Sequence, residues 1–290
     1  MLAAIQPEAT FPNAETACET VLLVGGLLAL AWQIRCAKTV PAKGVPVWPA
    51  PWLDFGVWLW VVCCMALVGS SLAKLLLGNH TDPSDEFGLM IRATAMHGAI
   101  LAAQLTMLWQ KKSWSPAPVN SVKLPRARIF KLGALAWLAS YPVVGLASYG
   151  CQWVLHWVSQ FNPAVSTPPQ QTVEILSHTT NPAQLVLMAV SFVFLAPINE
   201  ELFFRAGLYR FAKSRLPARY ALIIVNLLFA AAHANLLMFF PLFVLGILLT
   251  RLYERTGNIA APMVFHALFN LTNMALILLF PNTVGPLNSP

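Results

Sequence analysis

Residues 192–211 read FVFLAPINEELFFRAGLYRF, and inside this apolar run Glu200 and Glu201 stand side by side, with Arg205 four residues after the second. An ionised carboxylate in hydrocarbon is costly and survives there with a partner or a task. Two in succession, followed by a cation at i,i+4, make this run the place where fold and function are decided. If the run lies in a membrane, the pair marks a functional site. If it lies in a soluble core, the pair has no such meaning.

Composition decides between the two. The chain has 290 residues, 58% hydrophobic and 10% charged, with a mean hydropathy of +0.65. A soluble domain carries about 25% charged residues, so this chain cannot cover a water-facing surface. It reads as an all-α polytopic membrane protein surrounded by lipid. The formal charge of +7 does not point to nucleic acid, because the basic residues fall in short clusters between apolar segments, as membrane topology requires. The five cysteines, Cys18, Cys36, Cys63, Cys64 and Cys151, show no metal or redox spacing and read as filler. The N-terminal MLAAIQPEATFPNAE has no basic n-region, so no cleavable signal peptide is expected.

Crossing ~30 Å of hydrocarbon takes about 20 residues at 1.5 Å each. Eight stretches qualify: 16–34, 54–77, 88–109, 130–157, 184–212, 219–236, 238–253 and 258–280. The fifth contains Pro197, which predicts a kink or an extension beyond the membrane. The seventh is the shortest. Basic residues follow the first span (Arg35, Lys38, Lys43), the third (Lys111, Lys112, Lys123, Arg126, Arg128, Lys131), the fifth (Arg210, Lys213, Arg215, Arg219) and the seventh (Arg251, Arg255). The alternate connections carry acids: Glu8 and Glu15, then Asp82, Asp85 and Glu86, then Glu174. The positive-inside rule then puts both termini on the non-cytoplasmic side.

Three parts follow: four spans in 1–157, a polar non-cytoplasmic connection in 158–183 containing Pro163, Pro168 and Pro169, and four spans in 184–290. In the first part, Glu19, Lys74 and His156 lie near span ends and can snorkel. Arg92 and His97 lie deeper, and a structural pairing is their plainer reading. No inverted repeat of the kind found in many secondary transporters is visible.

The second half adds two motifs within spans. Phe229 and His233 are one helical turn apart in FAAAH, and His266 and Asn270 share a face in HALFN. Helical rise puts Glu200 about 15 Å from Arg210, His233 about 21 Å beyond Arg219 and His266 about 12 Å beyond Asn258. These depths overlap, so the groups can meet in one buried polar cavity, expected to open on the cytoplasmic side. Glu200 and His233 suit the polarisation of a water and acceptance of its proton. His266 and Asn270 suit hydrogen bonding to an oxygen that gains negative charge. Glu201 and Arg205 have the spacing of an intrahelical ion pair that fixes the face presenting Glu200. Each residue alone has a bland reading: an intramembrane histidine or asparagine as a helix–helix hydrogen bonder, Phe229 as core.

The stretch 196–207, with Glu200, Glu201 and Arg205, resembles the EExxxR motif of the CPBP (Abi) family of intramembrane proteases, which includes the type II CAAX prenyl proteases and bacteriocin-processing or immunity proteins. Phe229 to His233 resembles its FxxxH motif and His266 to Asn270 its HxxxN/D motif, in the same order, over roughly residues 180–280. Ala206 stands where relatives often place glycine directly after the arginine. The resemblance implies an eight-helix membrane fold and endopeptidase action. It assigns water activation to Glu200 and His233 and oxyanion stabilisation to His266 and Asn270, with Glu201, Arg205 and Phe229 in support. It also implies a peptide or lipidated protein substrate, such as a prenylated CAAX tail, and the plasma membrane of a bacterium suits so compact a chain.

A metal is a separate question. Glu200, His233 and His266 are chemically able to ligate zinc, but there is no HExxH and the sequence shows no second carboxylate to orient each histidine. A metal-free mechanism is therefore favoured, with zinc as the alternative. Two other functions stand beside proteolysis: a non-catalytic immunity or scaffold protein that binds a peptide or membrane partner, and a proton-coupled transporter using Glu200 and His233 as a relay.

Overall fold

The computed structural model describes residues 14–37, 44–77, 86–161, 175, 176 and 178–280. Glu8, Lys38, Lys43, Asp82, Asp85, Glu174, the N-terminal stretch up to residue 13 and most of the 158–183 connection lie outside the described residues. Among the described residues run eight helices: α1 (Ala14–Ala37), α2 (Trp52–Leu77), α3 (Glu86–Gln110), α4 (Arg126–Ser159), α5 (Pro182–Lys213), α6 (Ala218–Ala232), α7 (Leu236–Thr256) and α8 (Ala260–Leu279). Each overlaps one expected span.

Six of them are long and apolar enough to cross a membrane, and the chain is an integral membrane protein. The two exceptions are instructive. α3 is long, but its polar side chains turn inward onto α5: Thr94 bonds Ser191 at 2.6 Å, and Gln104 reaches Asn199. Its hydropathy is low because it helps build the interior. α6 is apolar but has only 15 residues, about 22 Å of helix. Span 219–236 was expected to run further, and span 238–253 to be the shortest; the structure reverses them. Ala234 adopts a left-handed φ of 48°, which ends α6 at His233. Asn235 then caps α7 by accepting from the Met238 N–H at 2.9 Å, so α7 starts early and reaches 21 residues.

α5 is the centre of the bundle. Of its most apolar window 44% is buried, against 11–33% for the other five spanning helices. It starts cleanly, with Asn181 accepting from the Ala183 N–H and Pro182 in the first turn. Pro197 has no N–H to give the preceding turn, and the ladder answers by widening. Ala189–Leu195 and Glu201–Tyr209 are π-helical, and only Ala196–Glu200 between them is α-helical. Such insertions concentrate at functional sites. Here the second one begins at Glu201.

The neighbours are set by close approach. α1 packs on α4, α4 on α7 and α8, α2 on α3, α3 on α5 and α6 on α7. α2 meets α5 where Trp58 lies over Gly207: a Cβ there would come within 2.3 Å of the indole. Trp58 also stacks on Phe203 at 5.1 Å. Gly207 is thus the small residue the contact needs, and Ala206 beside it is fully buried. Outward faces are apolar, with Trp60, Trp109 and Trp153 exposed, as lipid contact requires.

Two non-helical straps, residues 44–51 and 111–125, cross the end of the bundle near Arg210. The buried Arg210 guanidinium donates to the carbonyls of Pro46 (2.7 Å) and Pro116 (2.5 Å). Lys213 donates to the Val45 carbonyl and to Glu254. The Ser121 and Val122 N–H groups donate to the Gly257 carbonyl, where α7 ends in a left-handed glycine cap (φ 62°). A separate cavity of about 360 Å³, lined by Glu19, Thr20, Tyr141 and Leu276 among others, lies between α1, α4 and α8, away from the carboxylate pair.

Candidate active site

On a regular helix adjacent residues point about 100° apart, so Glu200 and Glu201 cannot share one direction. The structure gives both of them the same target. Glu201 Oε1 lies 2.9 Å from His266 Nδ1, and Glu200 Oε2 lies 3.8 Å from His266 Nε2. The imidazole sits between the carboxylates, one facing each ring nitrogen. His266 on α8 and the pair on α5 are 65 residues apart in sequence. An ionised carboxylate only accepts, so Nδ1–H donates to Glu201 and Nε2 is left facing Glu200.

The same Glu201 oxygen accepts from Arg205 Nη1 at 2.9 Å, and both side chains are fully buried. Arg205 also donates through Nη2 to Asn226 Oδ1 (3.4 Å) and the Gly246 carbonyl (3.3 Å). Its guanidinium carbon lies 4.3 Å from the Phe229 ring centroid, a desolvated cation–π contact. A Cβ at Gly246 would meet Asn226 Oδ1 at 2.6 Å, so glycine is what lets the α7 backbone come this close. Asn226 is held in turn by the Leu222 carbonyl and by Thr250. Asn226, Gly246 and Thr250 complete the arginine socket. Sequence reading had passed over them, although a buried asparagine one turn before Phe229 is itself an intramembrane polar signal.

His233 occupies the cap position of α6, where its Nδ1 lies 2.8 Å from the Phe229 carbonyl. A carbonyl only accepts, so Nδ1 carries the proton and Nε2 keeps its lone pair. The Phe229 ring is fully buried and stands edge-on to both imidazoles, 4.9 Å from His233 and 6.0 Å from His266. Phe229 thus packs against the imidazoles of both motifs. Among the described interactions none joins Glu200 directly to His233. Asn270 donates to the Phe192 carbonyl at 2.7 Å, inside the first π-helical segment. One of its two N–H groups is thereby committed.

Orphaned atoms mark where a further molecule fits. Glu200 Oε2 and Glu201 Oε2 are buried without a hydrogen-bond partner. The former atom is the one 3.8 Å from His266 Nε2, beyond direct hydrogen-bond reach. As a zinc set the residues do not fit: Glu200 and His266 offer two donor atoms, but among the described residues no group of three His, Cys, Asp or Glu side chains is arranged for a metal ion. One sequence expectation needs correction here. Glu201 does supply an orienting carboxylate to His266, so that argument against a metal falls, and the one that stands is the lack of an HExxH motif.

The first half of the chain also reaches the site. Asn199, next to Glu200, donates to the His97 carbonyl at 2.8 Å and lies 3.4 Å from His97 Nδ1, while its Oδ1 accepts from Gln104 Nε2 at 3.2 Å.

Comparison with known proteins adds a likeness that geometry alone does not give. The chain is 30% identical over 143 residues to an uncharacterized 24.3 kDa protein of Escherichia coli, an alignment covering 45% of this chain and 66% of that protein. No solved structure matches. Residues 182–272, the segment that holds Glu200, Glu201, Arg205, His233, His266 and Asn270, match the family described as type II CAAX prenyl endopeptidase Rce1-like.

Proposed function

We propose that the chain is an intramembrane endopeptidase that hydrolyses a peptide bond near the C-terminus of a prenylated, CAAX-type or other membrane-associated substrate. The observation that carries this reading is the His266 imidazole held between two adjacent carboxylates, each of which keeps a buried oxygen without a partner. A scaffold or immunity protein has no use for that arrangement.

The chemistry runs without a covalent intermediate. Glu200 accepts a proton from the water as its oxygen attacks the scissile carbonyl carbon, and the Nε2 lone pair of His233 accepts the water's other hydrogen bond. The carbonyl oxygen takes up the negative charge. His266, through Nε2–H, and Asn270, through its free N–H, donate to it. The proton on Glu200 then passes to the leaving amine as the C–N bond breaks. Glu201, Arg205 and Phe229 hold the imidazole and the helix face. Nothing in this sequence calls for a metal.

The test is cleavage by the liposome-reconstituted protein of farnesylated and unprenylated peptides, with Glu200→Gln and His233→Ala beside wild type. Membrane-proteome C-termini from cells carrying wild type or Glu200→Gln identify the natural substrate. Loss of cleavage in both variants is expected. Cleavage that survives both defeats the assignment.

A further inference from the structure

Glu200 and Glu201 are adjacent, yet they are held differently. Glu201 is fully buried and bonded to Arg205 and His266. The Glu200 side chain is 24% exposed, and its Oε2 has no hydrogen-bond partner among the described residues. No bond from that oxygen fixes it, so its place depends on its backbone. That backbone ends a single α-helical turn, Ala196–Glu200, which carries Pro197 and lies between two π-helical segments, so the ladder changes register on both sides of it. An outside restraint comes from α3. Asn199, 4% exposed, donates through Nδ2 to the His97 carbonyl at 2.8 Å. A carbonyl only accepts, so the amide nitrogen is turned to it and Oδ1 faces Gln104, whose Nε2 donates at 3.2 Å. The same Gln104 nitrogen lies 3.4 Å from the Asn199 main-chain carbonyl. Gln104 is 2% exposed and stands two helical turns from His97 on one face of α3.

We propose that Gln104 is a positioning residue for Glu200: through its two bonds to Asn199 it clamps the α-helical turn that presents the proposed base, from a helix outside residues 182–272. Gripping the side chain and the main chain of one residue, Gln104 resists both rotation of the turn about the α5 axis and its slide along that axis. Downstream, α5 is fixed at Glu201 through Arg205 and its socket of Asn226 and Gly246. Upstream, the Thr94–Ser191 bond ties it to α3 at 2.6 Å. Asn199 lies between these anchors, one residue before the base. Reacting atoms tolerate little displacement, so a loosened turn slows the conversion of bound substrate more than it weakens binding.

This inference rests on the endopeptidase reading, and its test separates the two. Gln104→Met keeps the volume and removes the donor, which leaves Asn199 Oδ1 buried without that partner. Gln104→Met combined with Asn199→Leu removes donor and acceptor together, so neither is stranded and stability returns towards wild type. On a farnesylated peptide in liposomes, both variants are expected to lower kcat about tenfold with KM within about twofold. Turnover that recovers with the melting temperature in the double variant, or that Gln104→Met leaves unchanged, overturns the proposal, because the clamp is then packing alone. A second measurement needs no substrate. In reconstituted protein labelled with ¹³C-glutamate, the Glu200 carboxyl resonance is assigned by its loss in Glu200→Gln. It is expected to broaden or shift in both Gln104 variants. If wild type cleaves nothing, the endopeptidase reading fails on its own and the spectra still decide the clamp. A Glu200 resonance indifferent to both variants overturns it.

Discussion

Glu201 and His266 are joined at 2.9 Å through the very carboxylate oxygen that also receives Arg205. One oxygen thus ties together α5's own turn and a helix 65 residues away in sequence. The i,i+4 ion pair that looks self-sufficient in the sequence is two-thirds of a triad.

Removing the centre of that triad strands two partners. Glu201→Ala leaves Arg205 buried and unpaired, a change that costs about 3–5 kcal/mol. Glu201→Gln keeps the volume and one acceptor, so it is expected to fold better and yet cleave poorly, because His266 loses its charged anchor. Thermal unfolding in detergent beside peptide cleavage would separate these effects. Full activity in Glu201→Gln would show that the anchor is dispensable.

Phe229 connects the two histidines and carries the guanidinium on its face. Phe229→Ala opens a cavity under three groups at once and is expected to destabilise by about 3–5 kcal/mol. Phe229→Leu refills most of the space but removes the aromatic face. It should recover much of the stability and less of the activity, which a melting curve and a cleavage assay on the same preparation would report.

Gly207 lies under the Trp58 ring. Gly207→Ala forces α2 and α5 apart and is expected to cost about 1–3 kcal/mol by overpacking. Pairing it with Trp58→Leu should give back a large part of that loss, an interaction that a double-mutant cycle measures. Simple additivity would mean that the two residues do not bear on each other.

Cleavage is expected to persist after exhaustive chelation, with no stoichiometric metal by elemental analysis of the purified protein. Activity lost to chelator and restored by zinc would overturn the metal-free mechanism.

Local pattern in the sequence predicted what local pattern can carry. The eight apolar stretches each overlap a helix, because hydrophobic length is read residue by residue. The lengths of α6 and α7 were misjudged at one point only, the left-handed turn at Ala234 and the cap at Asn235, where a hydropathy window averages over a sharp reversal. The Glu201–Arg205 pair was legible from its spacing. The contact of Glu201 with His266 was not, since no spacing rule links residues on different helices. Helix faces in a membrane protein carry little hydrophobic contrast to show which one turns inward. His97 was read as a structural pairing, and its partner, which no spacing rule could name, is Asn199 beside Glu200.

Arg210 stands just beyond the second π-helical segment, and two of its bonds go to the backbone of the straps, at Pro46 and Pro116. Cutting the chain down to the region that carries the family motifs would leave that cation buried with those acceptors gone. The region would also lose Trp58 from above Gly207 and Gln104 from beside Asn199. The motif residues lie in the last hundred residues, but the vessel that holds them is made by described residues from both halves of the chain.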